Sequence, residues 1–196
     1  MPADRGVAAM SYFLSCVTRP VMRWQRGSTH WLAGVGIAAI GLATAPAHAT
    51  CSAVGLVTCS VTTSATLLPF GNYDPNRVTA SDISSIITVT GTAVGGVGLV
   101  TTIGYSISLS QGLNGNVGER EMIGGSAATP LGYNLFTNSS YDQVWGTDSV
   151  SDSFTVLVVL GGTSLTQSYR VYGRIPPNQY VSVGAYADTI TVTVNY

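Results

Sequence analysis

Charge is scarce in this chain, and lysine is missing from it. Of 196 residues only 9% are charged, and all eight basic residues are arginines. From Thr50 onward there are four arginines (Arg77, Arg120, Arg170, Arg174) and no histidine. Against them stand eight acids (Asp74, Asp82, Glu119, Glu121, Asp142, Asp148, Asp152, Asp188), for a formal net charge of −4. No basic patch exists to neutralise phosphates, so nucleic acid is excluded as a partner. Without histidine, the usual base for a serine or cysteine nucleophile is absent. Zinc also loses its commonest nitrogen ligand, and two cysteines cannot complete a tetrahedral site. No glycine-rich phosphate loop leads into a helix; Gly95-Gly96-Val97-Gly98 lies between two strand-like runs and reads as a turn. These absences predict a protein that is not an enzyme and carries no metal or cofactor.

The front of the chain reads as a targeting segment. Arg19, Arg23 and Arg26 precede an uncharged run over 31–46, rich in Ala, Gly, Ile and Leu. Ala47-His48-Ala49 then places small residues at the two positions a signal peptidase reads, which predicts cleavage after Ala49. The run is short for a membrane span, which needs about 20 apolar residues. A start at Met22 would give a compact signal, so residues 1–21 read as an extension ahead of the true initiator. The expected division is a signal peptide over 1–49, helical in its apolar part, and one domain over 50–196. That domain is long enough for a core of its own.

Within 50–196, strand-like runs recur over 60–68, 83–94, 99–110, 131–137, 154–160, 168–175 and 185–196. Turn residues separate them, and no window keeps a helical period. Seven such runs predict an antiparallel sandwich. Ile103, Tyr105, Ile107 and Leu109 fall on one face, and Tyr169, Val171 and Gly173 alternate with Arg170, Tyr172 and Arg174. The run over 154–160 is apolar on both faces and is expected to be a central strand. The last run is the most telling. Ile190, Val192, Val194 and Tyr196 point one way, and Thr189, Thr191, Thr193 and Asn195 the other. No further strand follows in the sequence to cover its far side, so an open edge is expected there, a surface that binds another strand.

Two cysteines follow the predicted cut, Cys51 and Cys59. Export favours their oxidised state. Pairing with each other, pairing between molecules and two free thiols are all compatible with the sequence. Glu119 with Glu121, and Asp142 with Asp148 and Asp152, form two acidic stretches. Two carboxylates suit a glycosidase and three suit calcium, but solvated loop charge is the plainer reading. Arg120 is a candidate to pair with a carboxylate such as Asp188.

Six blocks in order carry a resemblance. They are Phe70-Gly71-Asn72-Tyr73-Asp74-Pro75, Tyr105-Ser106-Ile107-Ser108-Leu109-Ser110-Gln111-Gly112, and Arg120-Glu121-Met122. Tyr133-Asn134-Leu135-Phe136 with Val144-Trp145-Gly146 follow, then Tyr172-Gly173-Arg174-Ile175-Pro176 and Gly184-Ala185-Tyr186-Ala187-Asp188-Thr189. Together they resemble the spore coat protein U family, which includes subunits of archaic chaperone–usher pili.

The resemblance implies an immunoglobulin-like sandwich that lacks its final strand, with an acceptor edge at Ile190, Val192, Val194 and Tyr196. It implies a periplasmic chaperone, an outer-membrane usher and neighbouring pilus subunits as partners, export through the periplasm to the cell surface, and a role in adhesion and biofilm formation. An inserted strand burying four or five aliphatic side chains would contribute ~6–15 kcal/mol gross. Many relatives pair a first-strand cysteine, here Cys59, with one in the second strand, where this chain has Gly91. Cys51 is then the substitute partner. Only residues 50–58 precede Cys59, short for a donor strand, which suggests a subunit that accepts a strand without donating one. The alternatives are a self-contained secreted coat-like surface protein and, less favoured, a carbohydrate-binding secreted sandwich using the acidic loops.

Overall fold

The computed structural model describes residues 7–18, 47–50, 56–147 and 150–196, the first two segments by their backbone course alone. Eleven strands are described: β1 (Val7–Thr18), β2 (Ala47–Thr50), β3 (Val57–Ala65), β4 (Leu68–Tyr73), β5 (Ser81–Gly95), β6 (Val100–Leu109), β7 (Arg120–Gly124), β8 (Thr129–Phe136), β9 (Val150–Leu157), β10 (Thr163–Ile175) and β11 (Gly184–Asn195). No helix occurs among the described residues. The expected signal helix over 31–46 lies outside them, while Ala47 and Ala49 of the predicted cleavage site lie in β2.

The strands form two layers of an immunoglobulin-like sandwich. One sheet runs β9–β6–β11–β1–β4; the other runs β2–β3–β5–β10–β8. The β7–β8 hairpin links them, because β7 pairs with the first half of β11 while β8 pairs with β10. The chain changes sheets between β3 and β4. β3 pairs with β5 in the second sheet, and β4, which starts three residues after β3 ends, pairs in the first.

Period-two alternation places the core as the sequence predicts. Ile103, Tyr105, Ile107 and Leu109 of β6 are buried, as are Val171 and Ile175 of β10 and Ile190, Val192 and Val194 of β11. Each set meets its counterpart from the opposite layer in one continuous cluster. Tyr105 stacks on Phe154, centroids 4.8 Å apart, and its hydroxyl meets that of Tyr169. Tyr169 and Gln167 donate to Asp152 across the layers at 2.8 and 3.1 Å.

One expectation fails. The run over 154–160 is not a central strand. Among the described residues β9 pairs only with β6 and forms the sheet's edge, and Leu157, Val159 and Leu160 are exposed. Local apolarity on both faces signalled burial, but position in the sheet decides burial, and this strand has a neighbour on one side only.

Gly91 of β5 has a packing reason. A Cβ at Gly91 would lie 2.5 Å from the Phe154 ring. Gly91 also pairs with Val61, whereas Cys59 pairs with Ala93. The Phe154 ring fills the space a side chain at 91 would need. Gly91→Ala should therefore lower stability by about 1–3 kcal/mol, the usual cost of overpacking. Denaturant unfolding measures it, and a change within 0.5 kcal/mol of zero, of the size typical at unconstrained surface positions, would contradict this packing.

Candidate strand-acceptor site

Two strands of the first sheet define a gap one strand wide. β11 is paired on one side with β6 and β7, and among the described residues β4 pairs with one strand. Between them runs β1. It pairs antiparallel with the whole of β11, from Val7 opposite Asn195 to Thr18 opposite Gly184. It pairs parallel with β4, from Leu14 opposite Leu68 to Thr18 opposite Tyr73, with a bulge that skips Phe70. The edge of β11 that the sequence led one to expect open is occupied. The occupant comes from residues 1–21, the segment the sequence marked as superfluous.

The predicted acceptor residues sit together on the inner face. Ile190, Val192 and Val194 are at most 1% exposed, and Tyr196 is partly buried against the same core. Tyr12, Met10 and Ala8 hold the positions opposite Ile190, Val192 and Val194. Leu68 and Ile190, from the two walls of the gap, also line an apolar cavity of about 30 Å³ with Ile87, Leu109, Leu135 and Val171. The floor beneath the inserted strand is therefore apolar and not completely filled.

A buried polar cluster positions β11. Arg120, at the start of β7, is fully buried. Its Nε and Nη2 donate to the Ser110 carbonyl at 3.0 and 2.7 Å, Nη2 also to the Trp145 carbonyl at 2.8 Å, and Nη1 to Asn134 Oδ1 at 2.6 Å. Asn134 in turn donates to the carbonyls of Gly118 and Val117. Ser110 transmits the hold to β11: its N–H donates to the Thr191 carbonyl, and the Thr191 N–H donates to its Oγ, both at 2.9 Å. Burial pushes the Arg120 guanidinium below its ordinary pKa, with Tyr133 and Asp188 opposing the shift; arginine stays protonated nonetheless.

The expected ion pair is not formed. Among the described residues Arg120 makes no salt bridge with Asp188; the one found joins Arg174 and Asp82 at 2.7 Å. Asp188 instead accepts from the Tyr133 hydroxyl at 2.7 Å and from the Leu113 and Thr189 N–H groups at 2.8 and 2.7 Å. Burial, followed by the Asp188 contact, drives the Tyr133 phenol far above its ordinary pKa. Gly112 closes the cluster: its φ is +91°, and any Cβ there would strike the Asp188 carboxylate. Trp145 and Tyr133 are core aromatics, and the Trp145 indole donates to the Ile107 carbonyl at 3.1 Å.

The acidic stretches are not brought together. Glu119 and Glu121 flank Arg120. Asp142 accepts from Asn138 and Ser140 within its own loop, and Asp152 faces β10. Asp148 lies outside the described residues, and no group of three metal-ligating side chains forms among those described. Cys59 is buried and disulfide-bonded; Cys51, its expected partner, lies outside the described residues.

Comparison with protein families matches residues 43–193 to the Spore Coat Protein U domain. No curated protein matches the chain.

Removing the Arg120 head group would strand the Ser110 and Trp145 carbonyls in the core. Arg120→Met is expected to cost about 3–5 kcal/mol, read by thermal unfolding of the folded chain. A loss below about 1 kcal/mol, the net worth of one ordinary hydrogen bond, would show that the cluster does not hold β11.

Proposed function

The chain belongs to the Spore Coat Protein U family, one of pilus- and fimbria-like surface proteins, and from that premise we propose that it is a structural subunit of a surface pilus completed by strand insertion. The partners are a periplasmic chaperone, an outer-membrane usher and neighbouring subunits. The output is adhesion and biofilm formation at the cell surface, and the mature protein is neither enzymatic nor membrane-embedded. The observation that carries this reading is the gap between β11 and β4. Its filler, β1, is joined to the rest of the fold through the segment that holds the predicted cleavage site. A cut after Ala49 would remove β1 and leave the gap to a strand supplied from outside.

Physics favours such a filler. The backbone N–H and C=O groups along β11 and β4 need partners, and the apolar floor needs cover. A strand in the register of β1 supplies both. Slow release of that strand would give a fibre kinetic stability. The short stretch 50–58, with Cys51 tied to Cys59, would leave this subunit accepting a strand without giving one, as suits a minor or tip-associated position.

A second reading has one observation behind it. β1 closes the sheet from within the same chain, which suits a self-contained secreted surface protein.

Expression of 50–196 with and without a periplasmic pilus chaperone from the same genome separates the two. The pilus reading expects aggregation or proteolysis of the lone chain and a soluble one-to-one complex on co-expression. A peptide of the sequence of Val7–Thr18 should also raise the melting temperature of the rescued domain. A lone 50–196 chain that is monomeric, cooperative in melting and unmoved by the peptide contradicts it.

A further inference from the structure

The outward face of the second sheet is built from hydroxyls. Thr90 of β5 stands between Thr62 of β3 and Thr166 of β10, and Thr92 stands between Ser60 and Ser164. One rung further, Thr88 stands between Ser64 and Ser168. The register of β3 on β5 and of β5 on β10 runs without a shift. The rungs therefore form a regular grid, spaced about 4.8 Å across the strands and about 6.7 Å along them. None of these side chains is buried and none is charged. Thr90 Oγ1 lies 2.9 Å from Thr166 Oγ1, and Thr92 Oγ1 lies 2.8 Å from Ser164 Oγ. Each such pair keeps a donor and spare lone pairs for a further partner.

Along β10 the grid leads into another chemistry. Beyond Ser164, Thr166 and Ser168 the same face carries Arg170, Tyr172 and Arg174. Arg174 is clamped: it donates twice to Asp82 at 2.7 Å, and its guanidinium lies 3.6 Å over the Tyr141 ring. The Tyr141 ring also meets those of Phe136 and Tyr172, with centroids 5.4 and 6.2 Å apart. Arg170 is exposed. Its Nη1 donates to Ser84 Oγ at 3.1 Å, and among the described residues no carboxylate pairs with it.

We propose that this face is a binding track for a single polysaccharide chain that carries many hydroxyls and few carboxylates. The grid exchanges hydrogen bonds with sugar hydroxyls. The Tyr141 and Tyr172 rings meet the C–H face of a pyranose, and the Arg170 guanidinium takes a carboxylate. From Ser164 to Arg170 the track runs about 20 Å, room for several sugar rings in a row.

Charge and shape select this occupant. Asp82 neutralises Arg174, which leaves Arg170 as the track's free positive charge among the described residues. A polymer with sparse carboxylates matches it. Nucleic acid carries a charge at every phosphate and binds through several of them. Glu119 and Glu121 share a cleft with Arg174 on the far flank, and they repel a densely charged polyanion. A protein partner anchors aromatic and aliphatic side chains in apolar pockets, whereas the grid offers hydroxyls. A crystalline plane is flat, but neighbouring strands twist by roughly 20–25°, and a single chain follows that twist.

The outward face of the first sheet supplies a control. It also pairs hydroxyls, Thr102 Oγ1 with Thr155 Oγ1 at 3.1 Å. Gly104 interrupts that row, and no arginine or aromatic residue shares the outward positions of β6 and β9.

The test titrates the folded chain, however its sheet is completed, with hyaluronate, carboxyl-reduced hyaluronate, polyglutamate and single-stranded DNA. Hyaluronate should bind, and the carboxyl-reduced polymer should bind roughly tenfold more weakly. Arg170→Gln should lose the same factor and, with it, the weakening of binding by added salt. Thr90→Val/Thr166→Val should also lose roughly tenfold. Thr102→Val/Thr155→Val should bind like the wild type. Both double variants keep β-branched side chains and should melt with the wild type. Absence of hyaluronate binding, equal binding of the carboxyl-reduced polymer, or polyglutamate or DNA bound as tightly as hyaluronate would each overturn the proposal. So would unchanged affinity in Arg170→Gln or in Thr90→Val/Thr166→Val, or an equal loss in the control pair.

Discussion

A strand edge over an apolar floor, which another strand must cover, is the constraint on which the rest of this structure depends. β11 brings Ile190, Val192 and Val194 to the core with one edge satisfied by β6 and β7. β4 stands one strand away, and among the described residues its strand pairing is with the strand in the gap. Backbone groups left there without partners would each cost about as much as a lost hydrogen bond. A strand inserted at this place offsets that cost and buries apolar surface at once.

The buried cluster around Arg120 is best understood through that gap. Its acceptors come from the end of β6, from β8 and from the turn at Trp145, and Ser110 passes the restraint on to Thr191 in β11. Asp188, also in β11, is held from the other side by Tyr133 and Leu113. The inner wall of the gap is therefore fixed by polar contacts at one half and by apolar packing at the other. A wall fixed in this way keeps its hydrogen-bonding groups in register for the strand in the gap, which lowers the ordering cost of pairing.

Much of this was legible in the sequence, and the failures share a cause. The alternation over 99–109, 168–175 and 189–196 located three strands and their buried faces, because β-branched residues at period two leave little room for another reading. The blocks around Tyr105, Arg120, Tyr133, Trp145 and Asp188 were visible as separate motifs. Their convergence on one cluster was not, because most of the Arg120 acceptors are backbone carbonyls, which no residue letter announces. The run over 154–160 misled because its letters record polarity and not the number of neighbours a strand has. β1 was hidden for a similar reason. Val7–Thr18 is apolar at both parities and lies among basic leader residues, so its pairing with β11 exists only in three dimensions.

Amide hydrogen exchange along β11, in the 50–196 chain purified from its chaperone complex, tests the central claim most directly. The account predicts that the gap-facing amides of 189–195 exchange fast in the released chain and become protected when a peptide of the Val7–Thr18 sequence is added, while the amides paired with β6 change little. Full protection of both sets in the chain alone, with no response to the peptide, would contradict it.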